Sequence, residues 1–123
     1  MNLKCFNMTN TAELKNTYFV DLDGTLIKKN SGSFSENPEP IQDVVDLVND
    51  EYKKGSFVVI TTERPLEMKQ KTMQDLRTAG VRYNYLIMGI GTGARIIIND
   101  VESKSKEKRA LSLNLITDKG LKK

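Results

Sequence analysis

The stretch TYFVDLDGT, residues 17–25, decides how this chain is read. Thr17 to Leu22 is a short, β-rich apolar run ending in Asp-Gly, the pattern of a buried strand that hands its last residues to a loop. Asp21 and Asp23 are one residue apart, so on an extended backbone both carboxylates point the same way. Like charges in one small space raise each other's pKa unless a cation intervenes. Hard oxygen donors of this kind suit Mg²⁺, which takes one or two carboxylates with water and substrate phosphate. The plainer reading of the same residues is an Asp-Gly turn closing a strand.

Outward from this stretch the chain alternates. Residues 28–39 are polar, with Asn30, Gly32 and two prolines around Glu39, and predict a loop or small hairpin flap. Pro40 suits the first turn of an amphipathic helix that carries Ile41, Val44, Val45, Val48 and Tyr52 inward and closes at Gly55. Phe57 to Ile60 reads as a second buried strand. After Thr61, Thr62, Glu63 and Arg64 comes a helix opened by Pro65, with Leu66, Met73 and Leu76 inward and Gly80 as terminator. Tyr85 to Met88 predicts a third strand, Gly89 to Gly93 a glycine-rich loop, and Arg95 to Asn99 a fourth strand with Asp100 just past it. A short helix is expected near Glu107 to Leu113. This order predicts an α/β fold, a Rossmann-like, mainly parallel sheet flanked by helices. Ligands bind such sheets outside the carboxyl ends of the strands, where Asp21, Asp23, Thr62 and Asp100 all fall.

A chain of 123 residues fits one domain, with residues 1–16 as an N-terminal extension and 102–123 as a basic C-terminal segment. No apolar run approaches the roughly 20 residues of a membrane helix, and residues 1–16 lack a secretory signal's apolar centre, so a cytoplasmic chain is expected. The absence of histidine removes serine-histidine and cysteine-histidine catalysis and imidazole metal sites, and leaves chemistry to carboxylates. Cys5, the single cysteine, forms no internal disulfide and reads as a small apolar residue. The formal charge is +3, but residues 102–123 hold seven Lys/Arg against three Asp/Glu, a net of +4 that leaves −1 for the rest. That tract has no interleaved aromatics and reads as a solvated face, which disfavours a nucleic-acid partner.

Asp21-Leu-Asp-Gly-Thr25 resembles the first signature of the haloacid dehalogenase superfamily, Asp-x-Asp-Gly-Thr, which also follows an apolar strand. The resemblance implies Asp21 as nucleophile and Asp23 as general acid/base. Gly24 and Thr25 shape the loop and count with the phosphate-binding residues. The family's second signature, an apolar strand ending in a hydroxyl residue that binds the phosphoryl group, is met at residues 57–64. Thr62, two places before Arg64, is the expected contact. The fourth, an acidic pair closing an apolar strand and holding magnesium, resembles residues 96–100. There Asn99 replaces the first acid, so Asp100 becomes the charged ligand and Asn99 a neutral or supporting one. The third signature is normally a lysine or arginine. No lysine lies between Lys71 and Lys104, so Arg95 is the candidate, with Arg64 able to supply part of the charge.

Only about 35 residues separate the first motif from the second strand, which leaves no room for a large cap domain and implies an open site. This capless form, with Glu39-Pro-Ile41, a Thr-x-Arg second motif ending at Arg64 and a Gly-Thr-Gly stretch before Ile98-Asn-Asp100, is similar to the small capsule and polysaccharide biosynthesis phosphatases. The implied activity is Mg²⁺-dependent phosphomonoester hydrolysis through an aspartyl-phosphate, on a sugar phosphate or other small phosphomonoester. Asp21, Asp100, Asn99 and Asp23, the last through its backbone carbonyl, would hold the metal. The alternatives are a non-catalytic module that binds a phosphorylated ligand or a protein, a nucleic-acid 3′-phosphatase, and a receiver-like phospho-acceptor. Oligomeric state is left open.

Overall fold

The computed structural model describes residues 15–29 and 37–122. Strand β1 is Thr17–Asp21, helix α1 is Gln42–Lys53, strand β2 is Phe57–Thr62, helix α2 is Lys69–Ala79 and strand β3 is Tyr85–Met88. A single 3₁₀ turn, Leu66–Met68, leads into α2. The three strands form one parallel sheet in the order β1-β2-β3. In register, Asp21 lies beside Thr61, and Thr62 beside Met88, so the polar strand ends share one edge.

Alternation along the strands divides the sheet into two faces. Val20, Val58 and Ile60 join Val44, Val45 and Val48 of α1 and Leu76 and Ala79 of α2 in one core, with Tyr18 and Leu86 packed against it. Completely burying a Leu or Ile side chain contributes roughly 1.5–3 kcal/mol. Leu22, Leu26 and Ile27, all at 0 % exposure, therefore fasten the loop after β1 to this core. On the opposite face Phe19, Phe57, Tyr85 and Ile87 are exposed, with the Phe57 and Tyr85 rings 5.4 Å apart.

Helix α1 starts at Gln42 rather than Pro40. Pro40 instead bridges Ile27, and Lys28 N–H donates to the Glu39 carbonyl at 2.8 Å, so residues 26–28 and 39–41 form the base of the expected flap. The flap's tip, 30–36, lies outside the described residues, as do residues 1–14 of the expected extension. Gly55, at φ +98°, follows α1, and Gly80, at φ +75°, caps α2, both as expected. The inward face of α2 differs from the expected one: Leu66 and Met73 are exposed, while Thr72, Asp75, Leu76 and Ala79 face in. The cause is Arg64, whose buried guanidinium is met by Thr72 and Asp75. Polar partners for a buried cation outweigh apolar periodicity here.

Two expected elements are absent. Residues 95–99 form no strand: Ile96, Ile97 and Ile98 are 79, 49 and 92 % exposed and pair with no neighbour. A run of β-branched residues favours an extended backbone, but a strand exists only where a ladder accepts it. No helix forms at 107–113 either. Val101 bridges Lys108, and the Glu102 carboxylate accepts from the Lys104 and Ser105 N–H groups, closing a tight turn instead. The C-terminal tract is largely exposed, yet residues 115–121 return to the core. Leu115 packs on it and Leu121 N–H donates to Asp43. No helix among the described residues is long and apolar enough to cross a membrane.

Candidate active site

Asp21 ends β1 at the open edge of the sheet, and each of its oxygens has a partner. Thr25 Oγ1 donates to Oδ2 at 3.1 Å, and Arg95 Nη2 donates to Oδ1 at 3.2 Å. Partial burial raises the Asp21 pKa above the ordinary carboxylate range, against the lowering effects of the Thr25 hydroxyl and the Arg95 charge. The carboxylate nevertheless stays accessible, with 42 % of its side chain exposed. The loop that follows is wound tightly: the Leu22 carbonyl accepts from the N–H groups of Thr25, Leu26 and Ile27. Gly24 sits at φ +90°, where a side chain would be strained, and a Cβ there would stand 3.1 Å from the Thr117 methyl. Asp118 secures this contact. Its N–H donates to the Gly24 carbonyl at 2.9 Å, and its carboxylate accepts from Lys29 N–H at 2.7 Å.

Asp23 faces a different cation. Arg64 holds it with both edges of a fork, Nε to Oδ2 at 2.9 Å and Nη2 to Oδ1 at 2.8 Å. The same guanidinium donates through Nη1 to Asp75 at 2.9 Å and Thr72 at 3.1 Å. Arg64 is 3 % exposed. It is thus placed behind Asp23 and not at the mouth of the site, a correction to the expectation that it would share the phosphate's charge: its donors go to the Asp23 and Asp75 carboxylates and the Thr72 hydroxyl. Thr62 is 1 % exposed, and its Oγ1 accepts from Arg64 N–H at 3.2 Å, while its carbonyl accepts from Ile90 N–H. Gly89 N–H donates to the Arg64 carbonyl at 2.9 Å, so the glycine-rich loop is tied to the end of β2. That tie returns the chain across the site and brings Arg95 to Asp21 and, at 3.4 Å, to Glu63.

Of the expected residues, Asp21, Thr25 and Arg95 are in direct contact, with Asp23 and Gly24 in the loop that follows β1 and Thr62 at the end of β2. Asn99 and Asp100 do not join them. Both are exposed in the unpaired run, and among the described residues no group of three or more acidic, cysteine or histidine side chains gathers to hold a metal. The chemistry of Asp21 fits a hard cation all the same: it is an accessible carboxylate at a strand end that already draws a guanidinium. Sequence reasoning missed Asp75, Thr72 and Asp118. Asp118 carries a signal in the Asp-x-Gly turn that ends at Gly120, and Asp75 has one in its place beside Leu76 on the face that also holds Thr72 and Ala79.

The model of the haloacid dehalogenase-like hydrolases matches residues 18–118. Members of that family are generally phosphatases. Among solved structures, a structural-genomics target from Vibrio cholerae matches with a TM-score of 0.54 at 21 % identity, over 67 % of this chain and 79 % of that one. At this identity the likeness concerns the fold. No curated protein matches the chain.

Proposed function

We propose that this chain, which belongs to the haloacid dehalogenase-like hydrolase family, is a phosphomonoester hydrolase that uses Asp21 as its nucleophile. The observation that carries the reading is the contact between Asp21 and Arg95: an accessible carboxylate and a guanidinium paired with it at the carboxyl edge of a parallel sheet. A phosphoryl group entering there meets a nucleophile and a cation together. Asp21 attacks phosphorus, Arg95 grips the equatorial oxygens, and Thr25 steadies the attacking carboxylate. Asp23 gives a proton to the leaving oxygen and later takes one from the water that opens the aspartyl-phosphate. Thr62, Gly24 and the Asp23 loop border the same edge.

Magnesium is the cofactor of this reading, since the family is typically Mg²⁺-dependent. It supplies charge neutralisation between carboxylate and phosphate. Asp21 and the backbone carbonyl of Asp23 would hold it. Although Asp100 stands apart from Asp21 in the structure, we keep it as the further charged donor, with Asn99 beside it. Asp100 lies only five residues beyond Arg95, which already touches Asp21, and the run between them is unpaired. Five residues of extended chain reach about 17 Å.

The chain between the first motif and β2 carries only the base of a small flap and α1 among its described residues, which suits a small, accessible substrate. A sugar phosphate is our preferred class, in keeping with the likeness to capsule and polysaccharide biosynthesis phosphatases. A nucleic-acid 3′-phosphate is disfavoured by the absence of an aromatic-lined basic stripe among the described residues. Release of phosphate from a panel of sugar, nucleotide and nucleic-acid phosphates with Mg²⁺ tests the reading. Turnover of sugar phosphates is expected. Tight binding of a phosphorylated ligand with no turnover of any ester would replace the enzyme by a binding module.

A further inference from the structure

We infer that Asp75, on the inward face of α2, is a positioning residue for Asp23 that acts through the buried guanidinium of Arg64; the inference rests on the phosphatase reading. Asp75 is 2 % exposed and Thr72 is 0 % exposed, and together they take the Nη1 edge of Arg64. They lie three residues apart on α2, hence on one helix face. The guanidinium is planar with fixed donor directions, so whatever pins one edge sets the plane of the other. That other edge holds both oxygens of Asp23, at 2.9 and 2.8 Å. A carboxylate gripped at both oxygens cannot turn about its last torsion without losing both bonds.

The rest of the assembly keeps Arg64 still. Its backbone is fixed on both sides, by the Thr62 hydroxyl and by Gly89 N–H. Lys71 Nζ lies 2.9 Å from Asp75 Oδ1, so the two carboxylates meet two cations. A buried guanidinium needs partners in any case, and a purely structural account would have Asp75 and Thr72 supply them whatever Asp23 does. The two accounts differ in the step they touch. As Asp21 forms its bond to phosphorus, the electron pair of the phosphorus–oxygen ester bond passes to the leaving oxygen, which takes a proton that Asp23 has gained from solvent on a lone pair the guanidinium leaves free. An alkoxide requires that proton. A p-nitrophenolate leaves without it, so misaligning Asp23 harms alkyl esters selectively.

The experiment compares kcat/KM for β-glycerophosphate and for p-nitrophenyl phosphate, with Mg²⁺, in the wild type, Asp75→Asn and Asp75→Glu. This ratio covers only the steps through departure of the leaving group, so turnover of the intermediate does not mask the effect. General acids contribute about 10²–10⁴-fold. Asp75→Asn should lower kcat/KM at least about tenfold for the glycerol ester and less than about threefold for the nitrophenyl ester. Asp75→Glu should recover part of the loss. Where Asp75→Asn does not fold, Thr72→Val, which keeps the shape and removes one acceptor, carries the same comparison with a smaller selective loss. Equal losses on both esters, or none on either, overturn the inference while leaving a working phosphatase. A wild type that turns over neither ester overturns the phosphatase reading, and this inference with it.

Discussion

Replacing Arg95 with alanine separates what its guanidinium does for the fold from what it does for the site. In the structure it pairs with Asp21 at 3.2 Å and Glu63 at 3.4 Å, and the three side chains are 39, 42 and 44 % exposed. Pairs so exposed contribute about 0.2–1 kcal/mol each, so Arg95→Ala should lower Tm by no more than about 10 °C. A phosphoryl group changes the arithmetic. Loss of a charge-assisted contact to it costs about 1.5–3 kcal/mol, or a factor of roughly 10 to 150 in kcat/KM. Arg95→Lys keeps the charge but not the fork and should fall between. The assay is steady-state release of phosphate alongside a thermal melt of the same preparations. A near-normal kcat/KM in Arg95→Ala would refute the assignment, as would a loss that simply follows the fraction unfolded.

Further outcomes are expected elsewhere. Gly24→Ala places a Cβ at φ +90° and 3.1 Å from the Thr117 methyl, and should cost about 1–3 kcal/mol, read as a lower urea midpoint at constant m. An unchanged midpoint would mean that the loop does not depend on that conformation. Asp100→Ala should weaken Mg²⁺ binding at least about tenfold in a calorimetric titration with little change in Tm, because the residue is exposed. Undiminished binding would remove Asp100 from the metal site. The Ser56 hydroxyl is the main cause that holds the Glu51 pKa below the ordinary carboxylate value, with Lys54 assisting. The depressed folded-state pKa gives stability that is present above the unfolded value and lost as pH falls through the folded one. Ser56→Ala should therefore lower Tm at pH 7 and do so less at pH 3; equal losses at both would show that the charge is not involved.

The parts of the fold that the sequence made legible are those governed by local chemistry. The apolar run into Asp21, the glycine that ends α2 and the three paired strands all follow from periodicity and turn residues read over a few positions. The orientation of α2 did not, because it depends on Arg64 needing buried partners, and only a folded chain reveals that need. The run at 95–99 has the composition of a strand but no ladder to join. Within the site, Asp21 and Arg95 were expected and do meet, across 74 residues of sequence. With no lysine between Lys71 and Lys104, the sequence offers Arg64 as well as Arg95 for part of the phosphate's charge. The burial of Arg64 against Asp23 and Asp75 is a tertiary fact that spacing does not encode. Asp118 was hidden in a tract read as basic surface, although its Asp-x-Gly turn marks where the chain folds back onto Gly24.

The central claim, that Asp21 carries the phosphoryl group, is tested most directly by trapping it. Wild-type protein incubated with Mg²⁺ and a turned-over phosphomonoester, quenched in acid and digested, should yield the peptide containing Asp21 with the added mass of one phosphoryl group. The same peptide from Asp21→Asn should carry none, and that variant should keep less than about a tenth of wild-type activity, a loss of at least 1.4 kcal/mol in transition-state stabilisation. Phosphoryl found on another residue, or turnover that survives in Asp21→Asn, would contradict the account.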